Sequence, residues 1–341
     1  MKIYDKRHIA ILLTIAAVFL ANACTPSDRY ISISGYAQGG TYTVKLNLRG
    51  NDGKVRPEPE EIRDSINAIL LKIDNTLSGY NKNSLLSRYN TGEISLDEIL
   101  RDSMFRKLYS YAVKIYDETE GVVDAAAGPL FDLWGFGFRS GAFPSEEEVI
   151  TVKESVGMKN MLLNGEGQLN FNAIAQGYSC DLVAEYLYSI GVKDMMVDIG
   201  EIFCDGRNPS GQPWSLGIDK PVDGNNEPGA QMQGVFRAPE GPHGIVTSGN
   251  YRKFYLKDDK KYSHSIDPRT GYPVTHNLLS ATIVASDALT ADAYATYCMV
   301  VGLEESKKLL ENRTDLEGCL IYDDGGIFKT WCSEGFVLEE L

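Results

Sequence analysis

The chain has 341 residues, of which 43% are hydrophobic and 10% aromatic; this is enough for one large domain or two modest ones, and too apolar for a mainly disordered chain. Forty-seven acidic residues against 33 basic ones leave a net charge of −14, which repels a phosphate backbone and excludes general nucleic-acid binding.

Residues 1–23 read as an export signal. Lys2, Lys6 and Arg7 precede an apolar run from Ile9 to Ala21, and Asn22-Ala23 lead into Cys24. The run is too short to cross a bilayer core of about 30 Å as a helix. A cysteine directly after small residues is similar to a bacterial lipobox, in which that cysteine takes lipid and becomes the mature N-terminus; a plain cleaved signal is the alternative. The expected organisation is a lipoprotein signal peptide (1–23), lipidation at Cys24, a tether (24–30) and one folded unit (31–338). The chain is then an exported bacterial lipoprotein, membrane-anchored and facing the periplasm.

Residues 30–48 alternate like a strand pair broken by Gly39-Gly40. Ile62, Ile66, Ile69, Ile73 and Leu77 share one face of a helix over 59–77. A second helix fits 103–118, with Phe105, Leu108, Ala112 and Ile115 in register and Gly121 beyond its end. A third fits 173–190, with Ile174, Tyr178, Leu182, Tyr186 and Ile190 inward and Gly191 as the stop, followed by a strand-like MMVDI. Residues 213–275 are rich in strand and turn signals, and 221–243 read as a polar surface insertion. Ala288–Val301 is a fourth helix. Strands and helices mix without regular alternation, so the fold class is α+β.

Five cysteines follow Cys24, with no CxxC pair to support zinc or iron–sulfur binding. Cys319 and Cys332 flank two strand-like runs. If Gly325-Gly326 form the loop, these two cysteines face each other as a non-hydrogen-bonded pair, the closer kind, and are expected to form a cross-strand disulfide. Cys180 has no neighbouring histidine and reads as a structural thiol.

Three segments carry candidate chemistry. Asp292 and Thr296, four apart on the fourth helix, present two hard oxygen donors on one face, which suits Mg²⁺; an Asp near a helix start with a back-bonded Thr has the same spacing. His264, Asp267 and Arg269 surround a Pro268–Gly271 turn, where a histidine is either a general base or a structural turn residue. Small residues beside Trp134 and Phe136 in 121–137 permit close approach of a flat ligand, or simply a buried aromatic loop. No GxSxG, GxxxxGK[ST], HExxH or strand-linked GxGxxG is present.

In order, GGTYTV (39–44), LSGYNKNSLLSRYN (77–90), GPLFDLWGFG (128–137), NAIAQGYSCDLVAEYL (172–187), VTSGNY (246–251), SHSIDPRTGYPV (263–274) and TADAYAT (290–296) resemble the ApbE family of FAD:protein FMN transferases. The resemblance spans about residues 31–338. It implies a single large T-fold-like flavin-transferase unit with a smaller α/β subdomain. It further implies Mg²⁺-dependent transfer of FMN from FAD to a Thr or Ser hydroxyl of a target protein, forming a phosphoester and releasing AMP. By the same resemblance Asp292, Thr296 and the Ala173 carbonyl are metal ligands, and His264 is the catalytic base. Gln38, Tyr80, Val122, Val123, Asp124, Asn170, Gln176 and Ile266 contact the flavin nucleotide. The family usually has Met at the Gln38 position, Asp at Asn170, Lys or Glu at Gln176, and a double glycine where this chain has Gly200 alone. Acceptors in the family are proteins with a flavinylation Thr or Ser, chiefly membrane redox subunits. Two other readings use the same site: a Mg²⁺-dependent FAD pyrophosphatase yielding FMN and AMP, and a non-catalytic periplasmic FAD-binding lipoprotein.

Overall fold

The computed structural model describes residues 29–49, 56–138, 143–225, 227, 229–251, 254–257 and 260–341; the signal segment and Cys24 lie outside them. Tyr30–Ala37 (β1) and Gly40–Asn47 (β2) form a hairpin in which Ala37 faces Gly40. Its two loop residues are therefore Gln38 (φ 52°) and Gly39 (φ 81°), one position earlier than the glycine pair indicated. Positive φ at both central residues is the geometry that matches strand twist, and Gln38 adopts it while its side chain is held by a partner described below.

The helices follow in chain order: Pro59–Leu77 (α1), Leu85–Asn90 (α2), Leu96–Ile99 (α3), Ser103–Glu118 (α4), Gly128–Leu133 (α5), Glu146–Ser155 (α6), Met158–Asn164 (α7) and Ala175–Ser189 (α8). Helix α1 starts at Pro59, with the Glu61 carboxylate accepting from the Glu58 N–H, and buries Ile62, Ile66, Leu70, Ile73 and Leu77. Helix α4 is capped by Asp102, which accepts from the Phe105 N–H, and buries the expected Phe105, Leu108, Ala112 and Ile115. Helix α8 turns differently from the expectation. Its buried face is Gly177, Tyr178, Ser179, Cys180, Val183, Ala184 and Leu187, while Leu182, Tyr186 and Ile190 are only half-buried. The helix packs against strands and a second helix at once, so its buried stripe is wide and lacks a single apolar edge.

Then come Met195–Asp198 (β3), Ile202–Asp205 (β4), Ser215–Asp219 (β5), Met232–Arg237 (β6), His243–Gly249 (β7), Phe254–Lys257 (β8), Lys260–Ser263 (β9), Ile266–Asp267 (β10), Tyr272–Pro273 (β11) and Leu278–Ala285 (β12). Ala288–Val301 (α9), Leu303–Asn312 (α10), Glu317–Asp324 (β13), Ile327–Cys332 (β14) and Leu338–Glu340 (β15) complete the chain. An eight-stranded antiparallel sheet runs β1-β2-β3-β4-β7-β12-β13-β14, and a three-stranded sheet runs β15-β6-β5. Side chains alternate across the large sheet. Val44, Val197, Ala281, Ile283 and Leu320 face a core shared with α1, α4, α8 and α9. Met196, Cys204, Val284, Cys319 and Ile321 face a second core with Trp214, Leu216 and Phe236 of the small sheet. The α+β class holds. Residues 221–243 are not merely an insertion: β6 lies within them, and its buried Phe236 stacks on Phe336 at 4.1 Å between ring centroids. Alternating Met, Gln, Gly, Val and Phe supply too weak a period for that strand to stand out among polar neighbours. Among the described residues no helix is long and apolar enough to cross a membrane.

Cys319 pairs with Cys332 across β13 and β14, with Cα atoms 4.1 Å apart, and the two are disulfide-bonded as expected. Closing a loop with a sequence separation of 13 removes chain entropy worth about 3 kcal/mol from the unfolded state. The double variant Cys319→Ser, Cys332→Ser is expected to lose about that much stability in a denaturant titration. The unaltered protein should lose the same amount under reducing conditions.

His276, half-buried against the end of α9, places Nε2 3.0 Å from the Met299 carbonyl oxygen. Burial holds its pKa below the ordinary 6.5, and the Met299 contact only partly opposes this. Below the unfolded pKa the unfolded chain therefore takes up the proton first. The contribution of this residue is complete above the unfolded value of about 6.5 and is lost as pH falls below it and through the lowered folded value. The thermal midpoint should fall over that range, and His276→Gln should flatten the fall.

Candidate active site

Two helix starts meet at the centre of the helical face. Residues 170–174 run into α8, and β12 runs into α9. Helix α9 is Ala-rich and almost wholly buried, so neighbouring backbones can approach it closely. Gly177 on α8 lies against it. A Cβ there would collide with the Ala288 carbonyl and sit 2.8 Å from Asp292 Cβ, so only glycine fits. The Gly177 N–H donates to Asp292 Oδ2 at 3.0 Å.

Asp292 is 4% exposed and lies in the second turn of α9. It is not the helix cap: Asp287 is, accepting from the Thr290 N–H at 2.7 Å. Burial pushes the Asp292 carboxyl well above the usual carboxylate range, the Gly177 N–H opposes this, and the charge of Asp181 adds to it. Asp181 is raised as well, chiefly by burial, although it accepts from the Ala288 and Leu289 N–H groups. Two carboxylates thus share a buried site whose own partners are backbone amides. Thr296, one turn beyond Asp292, is half-buried, and among the described residues its hydroxyl does not bond back to a carbonyl. The back-bonded reading of the pair is therefore not the one adopted.

This arrangement fits a hard divalent cation. A buried carboxylate without a cationic side chain is costly, and an oxygen-only donor set of Asp292, Thr296 and the Ala173 carbonyl suits Mg²⁺. Among the described residues no cluster of three or more His, Cys, Asp or Glu offers a competing metal site.

The other candidates gather around these helix starts. Gln38 Nε2 donates to Ser179 Oγ on α8 at 2.5 Å, which seats the β1–β2 turn beside the crossing. Gln176 Nε2 reaches the Ile199 carbonyl at 3.4 Å, and a Cβ on Gly200 (φ 91°) would lie 2.8 Å from that nitrogen. Gly200, lacking a Cβ, thus leaves room for the Gln176 amide. Asn170 accepts from the Asn172 N–H at 2.9 Å, and its own N–H donates to the Ala125 carbonyl at 2.7 Å, which joins the pre-α8 loop to the 122–125 segment. Asn172 Nδ2 donates to Tyr80 Oη at 3.3 Å. Tyr80 is 67% exposed with its ring edge-on to Phe138, leaving area for a stacked aromatic ring.

Val122 and Val123 are buried, and the Val123 N–H donates to Thr119 Oγ1. Asp124 accepts from the Ala126 and Met158 N–H groups, while burial raises its carboxyl pKa. The Val122, Val123 and Ile266 side chains belong to apolar packing, so their backbones are what a ligand would meet. Ile266 packs with Trp134 and Val149, and Trp134 Nε1 donates to the Gly271 carbonyl at 2.9 Å, clamping the 262–273 turn onto the 121–137 segment. His264 is half-buried with Phe136 edge-on at 6.4 Å, and Arg269 grips Asp267 through two side-chain nitrogens at 2.9–3.0 Å. Strand β10 packs against α9, and Arg269 of this turn lies near Tyr297. Asp181 and Gly177 were not singled out from sequence. The partners of Asp181 are backbone amides and that of Gly177 is a side-chain carboxylate, all more than a hundred residues away, and no local pattern announces such contacts.

Residues 39–320 match the model of the ApbE family. An FAD:protein FMN transferase of Haemophilus influenzae is 31% identical over 346 residues, covering 97% of each chain. One from Escherichia coli K12 is 33% identical over 307 residues, covering 86% of this chain and 84% of its own. Among solved structures, the flavin transferase ApbE from Vibrio cholerae superposes with a TM-score of 0.75 at 29% identity, covering 90% of this chain and 98% of its own. The apo flavinyl transferase ApbE of Pseudomonas stutzeri gives 0.76 at 30%, covering 91% and 96%.

Proposed function

Since the chain belongs to the ApbE family and is by that membership an FAD:protein FMN transferase, we propose that it works with Mg²⁺ held by Asp292, Thr296 and the Ala173 carbonyl. The observation that carries this reading is the buried Asp292 carboxylate, which accepts from the Gly177 N–H and feels the charge of a second carboxylate, Asp181. Bound there, Mg²⁺ would neutralise the FAD pyrophosphate and act as a Lewis acid on it. In an acidic protein that charge has few other sources of compensation.

His264 takes the proton from an acceptor Thr or Ser hydroxyl as its oxygen attacks the FMN-side phosphorus. A new P–O bond forms to the acceptor, the pyrophosphate P–O bond breaks, and AMP leaves. Tyr80 stacks on an aromatic ring of FAD, and Gln38, Asn170, Gln176 and the backbones of Val122, Val123, Asp124 and Ile266 orient the nucleotide. The acceptor is a protein with a flavinylation Thr or Ser, of the membrane redox subunit class. Lipidation at Cys24 and a periplasm-facing membrane anchor belong to the same reading and rest on residues 1–24 alone.

The test is mass spectrometry on the purified protein mixed with FAD, Mg²⁺ and a Thr-containing acceptor domain. The expected result is one FMN added to the acceptor, with an equal amount of AMP. Free FMN and AMP with every acceptor unmodified would favour the pyrophosphatase, and intact FAD throughout would favour a binding protein.

A further inference from the structure

We propose that Asp181 is a positioning residue for the metal site, holding the Asp292 carboxylate in register against the start of α8. This deepens the magnesium reading above and rests on it.

Helices α8 and α9 meet through two rungs. Asp181 lies four residues after Gly177 and shares its face; Ala288 lies four residues before Asp292 and shares that one. At one rung Asp181 Oδ1 accepts from the Ala288 N–H at 2.8 Å and Oδ2 from the Leu289 N–H at 2.9 Å. At the other, Asp292 Oδ2 accepts from the Gly177 N–H at 3.0 Å. Each helix therefore gives a carboxylate to the backbone of the other, and the pairings run in opposite chain directions. Nothing separates the backbones between the rungs, because Gly177 leaves no room for a side chain.

The metal donors are divided across this crossing. Ala173 stands just before α8, whereas Asp292 and Thr296 stand on α9. Mg²⁺ demands near-ideal octahedral distances of about 2.0–2.1 Å, so a small slide of one helix along the other separates the donors. Asp181 opposes that slide directly, with both oxygens engaged at the first turn of α9. Asp287 does not, since among the described residues its side chain bonds only to the Thr290 N–H and to its neighbour Ser286. A carboxylate is needed at 181, because an asparagine there would accept one N–H and turn its own NH₂ toward the other.

The experiment is a titration of the purified, flavin-free protein with Mn²⁺ alone, reading free ion by electron paramagnetic resonance, alongside thermal midpoints without metal. Asp181→Asn is expected to weaken Mn²⁺ binding about 10–100-fold. Asp287→Ala, which removes the cap of α9 itself, is expected to lower the midpoint but leave Mn²⁺ affinity unchanged. Asp181→Ser serves as the second variant, with the same expected loss, should Asp181→Asn not fold. Unaltered affinity in a folded Asp181 variant would overturn the proposal. So would an equal loss in Asp287→Ala, since any weakening of α9 would then suffice. No Mn²⁺ binding by the unaltered protein would overturn the magnesium reading and this inference together.

Discussion

Asp292→Asn is expected to slow FMN transfer by about 10³-fold, equivalent to about 4 kcal/mol of transition-state stabilisation, while the fold stays intact. Asparagine keeps an oxygen for the Gly177 N–H, so the helix crossing is not broken. What is lost is the anionic oxygen that a cation needs. Removing one of two buried carboxylates also relieves their repulsion, so the metal-free variant should melt no lower than the parent. Single-turnover transfer at saturating Mg²⁺ is the measurement, and an undiminished rate would take Asp292 out of the metal site.

His264→Ala is expected to bind FAD normally and transfer FMN about 10²–10⁴-fold more slowly. The side chain touches the edge of Phe136, and the clamp from Trp134 to Gly271 holds the turn independently of it, so the variant should keep the shape of the loop. Equal rates would assign the proton to another acceptor, such as solvent.

Helices α1, α4 and α9 were legible to the residue because their signals are local: Pro59 with the Glu58–Glu61 pair, the Asp102 cap, and Asp287 before an alanine-rich run. Helix α8 was legible in extent but not in orientation, since being packed on several sides erases the apolar stripe that a four-residue period detects. The hairpin turn was displaced by one residue because Gln38, not a second glycine, takes the left-handed conformation, and its reason lies across the fold at Ser179. The same limit applied to the site. The types and spacing of Asp292, Thr296 and His264 singled them out, whereas Asp181 is defined by two amides 107 and 108 positions away.

The crossing of α8 and α9 also has a consequence in time. The contact between Gly177 and Asp292 closes a span of 115 residues, and β7, on which α9 packs, pairs with the later β12 as well as with β4. Closing so long a loop is entropically costly, and chains rich in distant contacts fold slowly. A chain still emerging from the ribosome, with residues beyond about 285 not yet released, lacks Asp292 and Thr296 of the proposed donor set. On that proposal, flavin chemistry waits until about the last sixth of the chain has begun to be delivered.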